Sequence, residues 1–118
     1  MYTERVLDHF HQPRNVGEIE NATAVVELTN PVCGDVLKLW VQVLDGRVAV
    51  ARFKAAGCVP AVASGSWLTN WMQGKSPDEL AGLTAEQIET ALGGLPSASH
   101  HAAVLAADAL KQTLGKLR

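Results

Sequence analysis

Between residues 36 and 44 (VLKLWVQVL), Leu37, Leu39, Val41 and Val43 alternate with Lys38, Trp40 and Gln42. A period of two is that of a strand with one buried face, because successive side chains leave opposite sides of the pleat. Asp45-Gly46 follows, a pair suited to a type I′ turn, whose two central residues need positive φ. The chain then returns as RVAVARFKA over 47–55, so the pattern predicts a hairpin. Upstream, 24–28 (AVVEL) carries adjacent β-branched residues and predicts another strand.

Elsewhere the spacing is helical. Residues 3–11 (TERVLDHFH) place Val6, Leu7 and Phe10 on helical spacing, with Thr3 as a capping residue. Pro13 closes that helix, and PRNVGEIEN reads as a loop. In the second half, Pro60 suits a first-turn position of a helix that continues through AVASGSWLTNWMQ and stops at Gly74. Ser76-Pro77-Asp78-Glu79 opens a short helix, and Thr84 with Gln87 forms a capping box for TAEQIETAL, which ends at Gly93-Gly94. A last helix follows Pro96, with Ala103, Ala106, Leu110, Leu114 and Leu117 along one face. This order predicts an α+β fold: a small, about three-stranded antiparallel sheet packed against helices, as one domain over 1–118.

Composition narrows the function classes. The 118 residues are 47% hydrophobic and 19% charged, the balance of an ordinary globular domain able to bury a core. A formal net charge of −2 lacks the basic surplus of a nucleic-acid binder. No apolar run approaches the roughly 18 residues of a membrane span, and MYTERVLDHF lacks a signal-peptide pattern. The expectation is a cytoplasmic protein with neither nucleic-acid nor membrane partners.

The candidate chemistry centres on two cysteines, Cys33 and Cys58. A hairpin continued strictly from the turn at 45–46 sets them opposite each other at its open end; a bulge would shift the pairing by one residue and leave the thiols neighbours. Asp35, two positions from Cys33, points to the same side of an extended chain. Two soft sulfur ligands and a carboxylate begin a metal site, and Gly34 and Gly57 let the backbone fold tightly around it. A fourth donor is available from His9, His11, His100 or His101. The last two stand near a helix start, which favours the neutral, metal-binding imidazole. Each residue also has a structural role open to it: the thiols as small hydrophobes, Asp35 as a turn residue, the histidines as surface, packing or helix-start residues.

The segments YTERVLDHFHQPRNVG, NPVCGD, RFKAAGC, AVASGSWLTNWMQGKS and LPSASHHAAVLAADAL occur together in order and spacing. From Tyr2 to about Leu114 the chain thereby resembles the NifU-type (IscU-like) iron–sulfur cluster assembly scaffolds. The resemblance implies a binding protein, not an enzyme, that carries a [2Fe–2S] cluster, with zinc as the alternative occupant. It implies a cysteine desulfurase and cluster-acceptor proteins as partners. Carried over residue by residue, it assigns metal ligation to Cys33, Asp35, Cys58 and His101.

The chain departs from the family pattern at defined places. The family's LPPVK-x-HC reads LPSASHHAA here, so Ala102 stands in place of a third cysteine that is both a ligand and a main acceptor of persulfide sulfur. The family's LPPVK stretch, which an Hsp70-type chaperone recognises, is altered here to Leu95-Pro96-Ser97-Ala98-Ser99, and that puts such a partner in doubt. Val59-Pro60 follows Cys58, where many relatives have small residues, and the extra segment of the zinc-dependent SufU-like branch is missing. The alternative reading is a zinc-binding relative, a structural or sulfur-relay module that has lost cluster assembly. A cysteine enzyme activated by histidine and Asp35 is a third class, and no protease or hydrolase signature accompanies it.

Overall fold

Residues 1–117 are described by a computed structural model. Helix α1 (Glu4–His11) precedes strands β1 (Ala24–Thr29), β2 (Val36–Leu44) and β3 (Arg47–Ala56). Helices α2 (Val59–Met72), α3 (Pro77–Leu80), α4 (Ala85–Ala91) and α5 (His100–Leu117) follow, the last entered through a 3-10 turn at Ser97–Ser99. The sheet is antiparallel in the order β1-β2-β3, which is the predicted α+β arrangement.

The local signals act where the sequence places them. Thr3, Ser76 and Thr84 cap α1, α3 and α4, the last two through complete capping boxes with Glu79 and Gln87. Asp45 and Gly46 take φ values of 54° and 75°, as a type I′ turn requires. The loop after α1 lies along the free edge of β3: Gly17 donates to the Phe53 carbonyl at 3.0 Å, and Phe53 donates to the Asn15 carbonyl at 2.9 Å.

The alternating face of β2 points inward. Leu37, Leu39 and Val41 meet Val26, Phe53, Leu68, Met72, Ala106 and Leu110 in one continuous core. Trp40, on the other face, is nevertheless buried: it pairs across the sheet with Val25 and Arg52, and the Lys38 ammonium lies 5.0 Å from its ring centre. Helix α2 is buried on nearly every side, and its small residues permit that. A Cβ on Gly65 would come within 2.6 Å of the Phe53 ring. Burying one large apolar side chain is worth about 2 kcal/mol, whereas an exposed ion pair such as Arg14–Asp8 contributes about 0.5 kcal/mol. The core, not surface charge, holds the helices on the sheet. Among the described residues, no helix is long and apolar enough to cross a membrane.

One irregularity matters for the site. Leu44 pairs with Arg47 and Val43 with Val48, but a bulge between Gln42 and Val43 shifts the rest by one residue, so that Val36 faces Ala56. Continued outward, that register sets Asp35 opposite Gly57, not Cys33 opposite Cys58. The strict pairing expected from the turn is corrected by the one-residue shift that a bulge imposes.

Candidate metal centre

The loop from β1 to β2 is organised by Asn30. Its side-chain oxygen accepts from the backbone of Val32 at 2.9 Å and of Cys33 at 3.4 Å. Its carbonyl accepts from Gly34 at 2.8 Å, and its own N–H donates to the Asp35 carbonyl at 2.7 Å. Gly34 takes φ 77°, so the chain turns between Cys33 and Asp35 and does not run extended through them as expected. The turn sends the two side chains into different surroundings. Cys33 is exposed beside the fully projecting Val32, while Asp35 is buried.

Asp35 occupies space that only a glycine leaves open. A Cβ at Gly57, which has φ 134°, would fall 2.0 Å from Asp35 Oδ1. The carboxylate thereby reaches the N-terminus of α2, where Cys58 is the capping residue. The Cys58 N–H donates to Oδ1 at 3.1 Å and the Cys58 thiol donates to Oδ2 at 3.0 Å. A carboxylate is favoured there because the first N–H groups of a helix lack intrahelical partners and carry partial positive charge.

The third segment is the start of α5. His101 Nε2 lies 3.2 Å from Asp35 Oδ2 and 3.9 Å from Cys58 Sγ. One donor atom each of Cys33, Asp35 and His101 lie within 4.8 Å of one another, the spacing of groups that can share an ion. Cys58 joins this trio through its bond to Asp35. The structure therefore brings all four sequence-predicted side chains to one end of the sheet.

The electrostatics follow from the contacts. Burial pushes the Asp35 carboxyl upward, but hydrogen bonds from the Cys58 thiol and N–H, from Cys33 and from His101 outweigh it and leave the group below its ordinary value. Burial, and then the bond to the Asp35 carboxylate, push the Cys58 thiol up to about 11. The metal-free site thus keeps its charge on Asp35 and a proton on Cys58. A bound metal would displace that proton, since the thiolate is the ligand form.

The remaining histidines are engaged elsewhere. His100 Nδ1 pairs with Glu89 of α4 at 2.7 Å. His9 Nδ1 is 2.7 Å from Ser66 Oγ, tying α1 to α2, and His11 packs edge-on against Phe10. Ala102, next to His101, is buried. Two positions that shape the site carry only a weak signal in the sequence: Asn30 opens an Asn-Pro dipeptide, a turn-initiating pair, and Gly57 reads as a loop glycine, with nothing to mark it as the seat of Asp35.

Residues 1–118 match the family described as the NifU-like N terminal domain. The chain is 42% identical over 114 residues to the iron-sulfur cluster assembly scaffold protein IscU 1 of Archaeoglobus fulgidus, covering 97% of this chain and 74% of that protein. It is 42% identical over 117 residues to the iron-sulfur cluster assembly scaffold protein IscU of Escherichia coli K12, covering 96% and 91% of the two chains. The fold is shared with the N-terminal NifU-like protein of Brucella abortus, at a TM-score of 0.80 and 19% identity over 98% of this chain and 92% of that one.

Proposed function

The chain belongs to the family of NifU-like N-terminal domains, and on that premise we propose that it is an iron–sulfur cluster assembly scaffold whose cargo is a [2Fe–2S] cluster held by Cys33, Asp35, Cys58 and His101. The observation that carries this reading is the convergence of those side chains from three separate segments on one partly exposed end of the sheet. Two thiols, a carboxylate and an imidazole form a donor set that suits iron, and iron–sulfur clusters accept nitrogen ligands in place of cysteine. The relatives named above are described as scaffold proteins for cluster assembly, which supports a holding role over a catalytic one.

The chain's own residues divide the work of holding. Asp35 is positioned by Gly57 and the start of α2, so one ligand is preset before any iron arrives. Cys58 exchanges its proton for metal, and Cys33 and His101 close the outer side. A cargo with one exposed flank and a carboxylate among its ligands suits transient holding and release. The partners of this single domain over 1–118 would be a cysteine desulfurase that supplies sulfur and the proteins that accept the cluster. His101 is the fourth donor of this set, since position 102, where the family's third cysteine would stand, carries an alanine.

Anaerobic reconstitution with iron, sulfide and reductant tests the proposal. Visible charge-transfer bands with about two irons and two sulfides per chain are expected. A colourless protein that keeps one zinc ion instead would overturn it.

A further inference from the structure

Within the scaffold reading, on which this inference rests, we propose that Glu89, which lies on α4 outside the ligand set, is a positioning residue for His101 and acts through His100. The two histidines are neighbours on α5, and side chains at neighbouring helix positions leave the axis about 100° apart. Whatever fixes the direction of one ring therefore fixes that of the other.

The first turn of α5 has little else to set its rotation. It is entered through the 3-10 turn Ser97–Ser99, in which Ser99 donates to the Pro96 carbonyl at 2.8 Å. Hydrogen bonds in such turns have poorer geometry than those of an α-helix, and the first N–H groups of a helix lack partners within it. The core receives Ala102 and Ala103 from this turn, and two methyl groups grip weakly; the first large buried side chain on α5 is Leu105. His100 supplies the grip, its Nδ1 donating to Glu89 Oε2 at 2.7 Å. A carboxylate only accepts, so the bond holds with the ring neutral or charged.

The anchor itself is firm. Helix α4 starts from the Thr84–Gln87 capping box, buries Ile88, and is followed by the buried Leu92. Gly94 donates to the Glu89 carbonyl at 2.7 Å, which closes the end of the helix around that residue. The Glu89 side chain is 19% exposed, against 52% for Glu79 in its pair with Arg47, so the bond to His100 is better sheltered from water than a surface pair. With His100 held on α4, His101 is aimed at the site, its Nε2 lying 3.2 Å from Asp35 Oδ2 and 3.9 Å from Cys58 Sγ. The same bond keeps His100 away from the cargo, so one imidazole and not two is presented to iron. A ligand aimed before the metal arrives holds it better than one that must be ordered on binding.

The test uses the full chain in native form and as Glu89→Ala, Glu89→Gln, His100→Ala and the Glu89→Ala/His100→Ala double variant. In the metal-free protein, nuclear Overhauser contacts between the His101 ring and the Cys58 β-protons report the direction of the ring. They should weaken about threefold in Glu89→Ala, the size of effect that a single partly sheltered pair supplies. They should stay native in Glu89→Gln, whose amide oxygen still accepts from Nδ1. The double variant should lose no more than either alanine variant alone, since both remove one and the same bond. After reconstitution and reduction of the cluster, pulsed electron paramagnetic resonance should show the nitrogen coupling of a coordinated imidazole. That coupling should be intact in the native and Glu89→Gln proteins and diminished in the alanine variants. Native contacts and native coupling in Glu89→Ala would overturn the proposal, as would additive losses in the double variant. Should Glu89→Ala fail to fold, His100→Ala, at a half-exposed position, decides by the same two signals. A native chain that forms no cluster would sink the scaffold reading, and a native cluster without nitrogen coupling would sink the ligand role of His101. Coupling that is present in the native protein and unmoved by every variant would sink the role of Glu89 alone.

Discussion

At its turn end the β2–β3 hairpin closes through Asp45 and Gly46, two adjacent residues at φ 54° and 75°. At its open end no turn joins the strands; Asp35, Gly57-Cys58 and His101 meet there from three parts of the chain. The turn end is buttressed by modest surface contacts, with Val48 donating to the Lys75 carbonyl at 2.9 Å and Arg47 pairing with Glu79 at 2.7 Å. The open end buries a carboxylate and supports it with hydrogen bonds from two elements. One end is local chemistry that many sequences would satisfy. The other depends on a register, a bulge and a missing Cβ acting together.

Removing a thiol should break the open end most severely. Cys58→Ser and Cys33→Ser are each expected to lose stoichiometric metal, measured by elemental analysis after reconstitution and desalting, while His9→Ala retains it. A Cys58→Ser protein holding a full complement would count against the ligand set. The next largest effect is expected from Gly57→Ala. Its methyl would strike Asp35 Oδ1 in a backbone region that L-residues avoid, so a loss of about 2 to 3 kcal/mol in urea denaturation should accompany weakened metal binding. The matched change at the other end is Gly46→Ala. It shares the positive φ but meets open space, so about 1 kcal/mol should be lost with metal content unchanged. Equal metal loss in both glycine variants would erase the distinction between the ends.

The smallest expected effect lies outside both ends, at the α1–α2 contact. His9→Ala removes the hydrogen bond to Ser66 and should cost about 1 kcal/mol at neutral pH. Burial, and then the nearby Arg14 charge, hold the His9 pKa below 6.5 in the folded chain. The unfolded chain therefore takes up a proton first as pH falls, and the stabilisation by neutral His9 is present above about pH 6.5 and declines below it. Thermal melts should show the gap between native and His9→Ala proteins narrowing from about pH 7.5 to about pH 5.5. A gap that widened on acidification would mean that His9 is charged in the fold.

Much of the fold was legible because its determinants are local. The alternation of 36–44, the Asp45-Gly46 pair and the Ser76 and Thr84 capping boxes act within a few residues of themselves, and the observed elements β2, β3, α3 and α4 start or stop where those signals stand. Trp40 was less legible. Its position in the alternation assigns it to the polar face, yet neighbouring strands and Lys38 cover it, because a large ring finds shelter wherever cross-strand side chains can reach.

The amino-acid sequence by itself determined the element order, the α+β class and the cast of chemically capable residues, Cys33, Asp35, Cys58 and the histidines. Tertiary structure decided how those residues face one another. The bulge between Gln42 and Val43 exchanged an expected Cys33–Cys58 pairing for an Asp35–Gly57 one, and nothing in the residue types there announces an extra residue in the ladder. Packing of α5 turned His101 toward Asp35 and left His100 on Glu89, a choice between adjacent residues that helical rotation makes and composition does not. The physical reason is range: caps, turns and alternation are satisfied by neighbours in the chain, whereas the direction of a side chain at a three-segment junction is fixed only when the core beneath it has packed.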